Sequence, residues 1–219
     1  MNEIRLERVL PAVFVGSEGE PPVSESRVWL REGVSFRRAV SYIIEAESGT
    51  GKSSLCAYLY GSRADYAGRI LFDGTDVRSY GMDRWCELRR EALAYLPQEM
   101  RLFPELSVRE NILIKNRLTD YRTEAEIMAM LEELELGHKA DEPAGRLSIG
   151  QQQRVAIVRA LCQPFDFLLA DEPVSHLDAR NNAAVAAMIG REAAARGASV
   201  IATSVGNKLA LSEYELMRL

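Results

Sequence analysis

The chain has 219 residues, of which 27 are Lys or Arg and 32 are Asp or Glu, giving a net charge of −5. This length is enough for one substantial α/β domain with a buried core, and the 47% hydrophobic and 27% charged residues exclude disordered, collagen-like and coiled-coil chains. No apolar run approaches the roughly 20 residues of a membrane-spanning helix, and residues 1–8 alternate charges where a signal peptide is apolar. We therefore expect the chain neither to span a membrane nor to be secreted by that route.

The cysteines, Cys56, Cys86 and Cys162, are widely separated and show no CxxC spacing. A disulfide framework or a zinc site is therefore not expected, whereas a reducing, cytoplasmic location is. The mildly acidic composition argues against nucleic acid as a partner, because contacts with phosphate backbones need a basic surface.

Short apolar runs alternate with helical segments along the chain, which is typical of an α/β fold with a mostly parallel sheet. Strands are predicted at 41–46, 69–72, 92–96, 165–170 and 198–203, and the last two are apolar on both faces, as buried parallel strands are. Helices are predicted at 52–60, 83–91, 108–116, 124–136, 150–163 and 178–196. The Gly- and Pro-containing stretch 16–26 is predicted to be a loop between two early strands.

Strand patterns are absent between residues 102 and 146, where helical patterns follow one another. The helix at 124–136 is clearly marked, because Thr123 and Glu126 form a capping box and Gly137 stops it. We therefore predict a single domain over 1–219, with a mostly parallel core sheet that has an antiparallel β edge. Residues of about 1–101 and 147–219 form this core, and residues of about 102–146 form an inserted helical subdomain.

The segment Ala46–Ser53 (AESGTGKS) lies between a predicted strand and a predicted helix and nearly matches the pattern GxxxxGK[ST], with Ala46 in place of the first glycine. Glycines let such a loop wrap closely round a phosphate, and the amides point inward at a helix N-terminus. We expect Lys52 to reach the β- and γ-phosphates of a nucleotide and Ser53 to ligate Mg²⁺. A chance GKS in a strand–turn–helix connection is the alternative. The predicted phosphate-binding residues are Glu47, Ser48, Gly49, Thr50, Gly51, Lys52, Ser53 and Ser54.

Two carboxylates follow the buried strand at 165–170, namely Asp171 and Glu172 before Pro173. Ligands of open parallel sheets lie at the carboxyl ends of the strands, which is where a nucleotide's metal belongs. We expect Asp171 to hold Mg²⁺ through water and Glu172 to act as general base on the attacking water. An ordinary strand exit into a polar turn is the alternative for this pair alone.

The stretch Leu147–Arg154 (LSIGQQQR) opens a helix in which Ser148 and Gln151 form a predicted capping box. A well-capped helix is the simpler interpretation. The order of residues, however, resembles the LSGGQ signature of ATP-binding cassette (ABC) proteins, with Ile149 in place of the first glycine. A capping box alone does not require Leu147, Gly150, the run of Gln and Arg154 in that order.

This resemblance covers about residues 28–204 and implies a P-loop NTPase fold with a RecA-like core. It implies that Ser148, Gly150 and Gln151 contact the γ-phosphate of a nucleotide held by a second cassette, so that two copies dimerise on MgATP. Leu96–Glu99 (LPQE) is similar to the family's Q-loop, which makes Gln98 a sensor of Mg²⁺ and the attacking water. The implied Mg²⁺ ligands are then Ser53, Gln98 and Asp171.

The resemblance also implies partners. Ser175–Asp178 (SHLD) is similar to the D-loop, which touches the phosphate loop of the second cassette; an N-cap at Asp178 is the simpler interpretation. Without a membrane segment of its own, the chain is expected to drive a separate transmembrane permease subunit from the inner face of the cell membrane. In its short length the chain is similar to subunits of lipoprotein-release, macrolide-export and cell-division complexes. The same length leaves no room for the coiled coils or paired cassettes of DNA-repair and translation members.

A further departure from the family pattern concerns the switch residue. Ser204 stands where the family has a switch His, and Ser neither carries charge nor shuttles a proton as imidazole does. We therefore count Ser204 among the catalytic residues, with Glu172, Gln98 and Lys52, but expect slowed turnover. This opens the alternative of a soluble ATP-dependent regulatory or mechanotransmitting switch that moves no solute. Phe14 is the predicted stacking partner of adenine, with Trp29 as the second choice, and either is equally a core residue.

Overall fold

The computed structural model describes residues 1–219, which form two β-sheets and six α-helices. The strands are β1 (Glu3–Pro11), β2 (Val34–Arg37), β3 (Tyr42–Glu45), β4 (Tyr66–Phe72), β5 (Thr75–Asp76), β6 (Leu93–Leu96), β7 (Phe167–Ala170), β8 (Ser199–Ser204) and β9 (Glu215–Arg218). The helices are α1 (Lys52–Leu59), α2 (Met82–Glu91), α3 (Val108–Asn116), α4 (Glu124–Glu133), α5 (Ile149–Leu161) and α6 (Ala179–Ala194). None of the helices combines the length and hydrophobicity that crossing a bilayer requires.

The larger sheet has the order β6-β7-β8-β3-β9, and all its neighbouring strands run parallel, which confirms the predicted core. The antiparallel strands form a sheet of their own, β2-β1-β4-β5, rather than an edge of the core sheet. The edge beside β3 is occupied by β9. This strand is mostly exposed and lacks the hydrophobic alternation from which a strand is predicted.

Side chains alternate between two hydrophobic cores along the central strands, because successive residues of a strand point to opposite faces. On β3, Tyr42 and Ile44 pack into one core and Ile43 into the other; on β8, Ile201 and Val200 divide in the same way. The first core includes α1 and the antiparallel sheet, and the second includes α3, α4, α5 and α6. Burial on both faces explains why these strands are apolar throughout.

Residues 102–146 contain α3 and α4 and no strand, as their helical patterns predict. Capping boxes begin both helices, with Ser107 and Glu110 on α3 and Thr123 and Glu126 on α4. The buried side chains of α3 and α4 belong to the same core as α5 and one face of the parallel sheet. The helix predicted at 124–136 ends at Glu133, because Glu135 already has a positive φ of 59°.

The carboxyl ends of the parallel strands are level with one another. Register pairs join Leu96 to Ala170, Ala170 to Ala202, and Glu45 to Ser204. The loops that follow β3, β6, β7 and β8 therefore meet at one edge of the sheet, where open α/β sheets bind their ligands.

Candidate functional site

The phosphate loop joins β3 to α1 and presents a continuous row of free amides. No backbone N–H from Glu47 to Ser54 donates to a protein acceptor. Gly49 and Gly51 have φ of 83° and 99°, a left-handed conformation that glycine adopts without a steric penalty. The row ends at the N-terminus of α1, where the helix dipole favours an anion. Ala46 has no positive φ, so the missing first glycine leaves the loop unstrained.

The Lys52 side chain is only 5% exposed and is held by its own loop. Its ammonium donates to the carbonyl of Glu47 at 2.6 Å and to that of Ala46 at 3.4 Å. The same Nζ lies 3.6 Å from Glu172 Oε1, and Gln98 Nε2 lies 3.5 Å from Glu172 Oε2. The fold thus brings together the lysine, carboxylate and amide that the sequence predicts as catalytic residues.

The two carboxylates after β7 are organised by a residue of β8. The Thr203 hydroxyl donates to Asp171 Oδ1 at 2.8 Å and accepts the backbone N–H of Glu172 at 3.0 Å. Glu172 has a φ of 49°, and such a left-handed conformation at a residue other than glycine costs about 1–3 kcal/mol. Strain of this kind persists where surrounding contacts enforce it, as the Thr203 hydroxyl does here, and it is consistent with the predicted role of Glu172.

The three predicted Mg²⁺ ligands line one cleft of ≈ 380 Å³. Ser53, Gln98 and Asp171 all contribute to its wall. Ser53 is exposed, and the second carboxylate oxygen of Asp171 accepts no protein hydrogen bond. No group of three or more His, Cys, Asp or Glu side chains is arranged to hold a metal ion. An oxygen donor set this sparse fits Mg²⁺, which keeps waters and shares substrate phosphates rather than entering an all-protein cage.

Two ionisable neighbours of the site are held neutral. Burial, and secondarily the charge of Asp171, raises the pKa of the Cys56 thiol well above its usual value. Burial also raises the pKa of the Tyr95 hydroxyl, with smaller contributions from Cys56 and Asp171. Neither group therefore ionises near neutral pH, so neither competes with Glu172 for the predicted role of general base.

Both aromatic candidates lie against the phosphate loop, in different environments. Trp29 is fully buried, and its indole N–H donates to the carbonyl of Thr50 at 3.0 Å. Phe14 is partly exposed, and a methyl group built on Gly51 would lie 3.3 Å from its Cε2. Trp29 therefore supports the loop from the core. Of the two rings only that of Phe14 is partly exposed, which favours the prediction that it stacks on adenine.

The signature segment forms the predicted capping box. Ser148 Oγ accepts the N–H of Gln151, and Gln151 Oε1 accepts the N–H of Ser148 at 2.9 Å. Only the N–H groups of Ile149 and Gly150 remain free at this helix end. Gly150 has a packing reason to be glycine, since a Cβ would lie 2.9 Å from the carbonyl oxygen of His176. The free amides at Ile149 and Gly150, beside the exposed Ser148, are what the resemblance to the signature requires.

Ser204 is not brought to this cluster of side chains. It is 1% exposed, and its hydroxyl donates to the carbonyl of Asn207 at 2.9 Å. Ser175 and His176 of the D-loop segment are exposed, and Asp178 caps α6 by accepting the N–H of Asn181. The N-cap and the D-loop interpretations of this segment are therefore compatible.

Sequence reasoning missed two residues that support the site. Thr203 was recognised only as part of a strand, although a Thr that immediately precedes the switch position is a signal in itself. Gln153, on α5, is 2% exposed and donates to the carbonyl of Glu172 at 3.2 Å. It could have been found as a polar residue on the helix face of Ala156 and Ile157, which are buried and lie three and four residues further along α5.

Comparisons with known proteins agree with this geometry. The sequence profile of the ABC transporter family matches residues 34–175. The lipoprotein-releasing system ATP-binding protein LolD of Shewanella denitrificans is 33% identical over 171 residues, which cover 75% of this chain and 72% of that protein. The phosphonates import ATP-binding protein PhnC of Frankia casuarinae is 38% identical over 176 residues, covering 75% and 69%.

Among solved structures, the dimeric structure of MJ0796, a bacterial ABC transporter cassette, superimposes with a TM-score of 0.77. The match covers 98% of this chain and 94% of that one at 22% identity, so it bears on the fold. The fold confirms the predicted class, and the family match extends over the phosphate loop, the signature segment and the acidic pair. The chain therefore belongs to the ABC transporter family and is an ATPase of the ATP-binding cassette type.

Proposed function

We propose that this chain is the ATP-hydrolysing subunit of a transporter, in which two copies close on MgATP and drive a separate transmembrane permease. One observation carries the proposal: the free amides of Glu47–Ser54 meet Lys52, Glu172 and Asp171 at one edge of the sheet. Ser148 is exposed and makes no hydrogen bond to that loop, and the neighbouring N–H groups of Ile149 and Gly150 are free. The signature end thus suits a nucleotide held by a second copy.

The chain's own groups divide the chemistry between them. The loop amides and Lys52 would hold the β- and γ-phosphates and, with Ser148 of the second copy, stabilise the charge that develops on the γ-phosphoryl group. Mg²⁺ held by Ser53, Gln98 and Asp171 would neutralise further charge on the phosphate oxygens. Glu172 would accept the proton of the attacking water, and ADP would leave with the bridging oxygen.

The helical segment supplies a surface for the permease. Phe103, Ile114 and Leu118 are large apolar side chains, and they are 51%, 43% and 55% exposed on or beside α3. Exposed large apolar side chains are common where a surface contacts a partner, and these three lie in the same helical segment. We place the chain at the cytoplasmic face of the membrane through this contact. Since the relatives are named for lipoprotein release and for phosphonate import, the proposal extends to no single cargo.

A regulatory switch with slow hydrolysis is the second candidate function. It is favoured by Ser204, whose hydroxyl is bonded to the carbonyl of Asn207 and so is not free to contact a phosphate. Reconstitution of the chain with its membrane partner in vesicles separates the two candidates. Cargo displacement coupled to ATP turnover supports transport, whereas activation by the partner without displacement supports the switch.

The proposal is tested with Glu172→Gln, which removes the general base and keeps the side-chain shape. We expect phosphate release to fall by roughly 10²-fold or more, while MgATP affinity is retained. Light scattering should detect a dimer of this variant in MgATP and a monomer without nucleotide. Wild-type turnover in Glu172→Gln, or a variant that stays monomeric in saturating MgATP, would refute the proposal.

A further inference from the structure

The backbone of Glu172 is held from two sides by side chains outside its own loop. Its N–H donates to Thr203 Oγ1 on β8 at 3.0 Å, and its carbonyl accepts from Gln153 Nε2 on α5 at 3.2 Å. Between these two contacts lies the left-handed φ of 49°. Because a residue other than glycine keeps this conformation only under constraint, both contacts help to set where the Glu172 carboxylate points.

The Gln153 side chain makes all its hydrogen bonds to the segment that begins at Glu172. Besides the Glu172 carbonyl, its Nε2 lies 3.3 Å from Ser175 Oγ, and its Oε1 accepts the N–H of His176 at 3.0 Å. The side chain is 2% exposed, so these contacts are shielded from water. Every hydrogen bond of the Gln153 amide thus ends between residues 172 and 176, the stretch that runs from the acidic pair into the D-loop.

The helix that carries Gln153 also carries the signature. Ser148 caps α5, and Gln153 lies on the next turn of the same rigid helix. Two arginines fix α5 to backbone carbonyls elsewhere: the buried Arg154 to Leu134, and the partly exposed Arg159 to Met100 and Arg101, which follow Gln98. A displacement of the capped end of α5 therefore reaches Glu172 through Gln153 and the Gln98 loop through Arg159.

We propose that Gln153 is a positioning residue for ATP hydrolysis, which holds the Glu172 backbone in its productive conformation and links it to the signature end of α5. The inference rests on the proposed role of Glu172 as general base. A nucleotide of the second copy bound at Ser148 and Gly150 then acts on the general base of this copy's own site. Gln153 is thereby a route by which the two composite sites communicate.

The test is Gln153→Glu, which keeps the acceptor for the His176 N–H but replaces the donor to the Glu172 carbonyl with a carboxylate oxygen. We expect kcat for phosphate release to fall by about 10- to 100-fold, because misplacing a catalytic group by about 1 Å has effects of this size. The dissociation constant for MgATP should stay within about twofold of wild type, since Gln153 touches no phosphate-loop residue. Gln163→Glu is the matched control. It makes the same change at an equally buried Gln just beyond the other end of α5, where Nε2 donates to the carbonyls of Arg89, Leu93 and Pro164, and it should leave kcat unchanged.

A double-mutant cycle separates positioning from general structural support. In the Glu172→Gln background, adding Gln153→Glu should lower kcat no further, because there is no general base left to position. Additive losses, a wild-type kcat in Gln153→Glu, or a loss confined to MgATP affinity would each overturn the inference. If the introduced carboxylate prevents folding, Gln153→Met carries the same expectation without the charge, and failure of both variants to fold would assign Gln153 a purely structural role. Wild-type turnover in Glu172→Gln alone would refute the proposed general base instead.

Discussion

The phosphate loop and the signature segment are both helix N-termini preceded by small residues, yet they use their amides differently. At α1 no side chain caps the helix, and the N–H groups from Glu47 to Ser54 are all free. At α5 the Ser148–Gln151 capping box occupies two of the N–H groups and leaves those of Ile149 and Gly150. The N-terminus of α1 therefore suits a polyanion, whereas the N-terminus of α5 is capped by its own side chains and needs no ligand for stability.

This difference is what the proposed dimer requires, because each chain would supply one part of its own nucleotide site and another part of its partner's. The free amides of the loop at α1 lie beside Lys52, Glu172 and the cleft lined by Ser53, Gln98 and Asp171, which is the set that the proposed nucleotide site requires. The end of α5 has no charged group in its capping box and offers a hydroxyl with two amides. A hydroxyl with two amides binds a free anion only weakly. It can make a site more selective for an anion that other groups already hold.

The largest effect is expected at the phosphate loop. Lys52→Ala removes the ammonium that lies within the row of free amides, and MgATP affinity should fall by roughly 10²-fold, since charge-assisted hydrogen bonds contribute about 1.5–3 kcal/mol. Calorimetric titration measures this loss. Lys139→Ala is the matched control, because Lys139 pairs only with Glu142 in the helical segment and should leave affinity unaltered. Equal affinity of Lys52→Ala and wild type would show that the amides alone suffice.

The signature end should respond in turnover rather than in affinity. Ser148→Ala and Thr123→Ala each remove the hydroxyl of a capping box and should cost about 1 kcal/mol of stability alike. Only Ser148→Ala should also lower the rate of phosphate release, by roughly tenfold, because one stabilising donor is lost from the composite site. Thermal unfolding and phosphate-release assays of the two variants give the comparison. Equal turnover in both would reduce the signature end to an ordinary helix cap.

A smaller effect is expected from the aromatic beside the loop. Phe14→Ala should weaken MgATP binding by roughly five- to tenfold, because an aromatic stack contributes about 0.5–1.5 kcal/mol. Binding of inorganic tripolyphosphate, which has no base, should not change. Val13→Ala, in the same turn and with its side chain 75% exposed, is the control. A parallel loss of tripolyphosphate affinity would mean that Phe14 acts by supporting Gly51 instead.

The smallest effect is expected in the pH dependence of stability, because the capping boxes of α3 and α4 contain a carboxylate and that of α5 does not. Hydrogen bonds from the Ser107 and Thr123 backbone N–H groups lower the pKa of Glu110 and of Glu126, whereas α5 is capped by the neutral Gln151. A carboxylate with a lowered folded pKa stabilises the protein above its unfolded pKa, and this contribution is lost as the pH falls through the folded value. Thermal unfolding from about pH 6 to about pH 3 should therefore show a shallower decline in Glu110→Gln/Glu126→Gln than in wild type. The decline in Gln151→Glu should be steeper, and identical slopes would contradict the assignment.

Much of the fold can be predicted from the sequence, because hydrophobic periodicity and helix capping depend on residues that are close together in the chain. The helix that follows Thr123 and the helix that follows Ser148 begin where their capping boxes predict. The strand β9 was missed because an exposed edge strand has no buried face to leave a pattern. The separation of the antiparallel strands into their own sheet likewise depends on long-range pairing, such as that of Ile4 with Phe72.

The residues of the candidate site likewise differ in how far the local sequence predicts them. Motif residues such as Lys52 and Glu172 are predictable because the chemistry fixes their spacing within one segment. The contacts of Thr203 and Gln153 with the acidic pair cannot be predicted in this way. Both residues are remote from that pair in sequence and become its neighbours only when β7, β8 and α5 pack together. The choice between Phe14 and Trp29 needed the burial of each ring, which no local spacing encodes.

The contact of Lys52 with the carbonyls of Ala46 and Glu47 has a kinetic consequence. The ammonium bridges two carbonyls of the loop and so helps to hold its curvature by contacts within the chain. A triphosphate that binds there would exchange partners with one cation and meet amides that are already oriented. We therefore expect its association to be limited by encounter rather than by ordering of the loop.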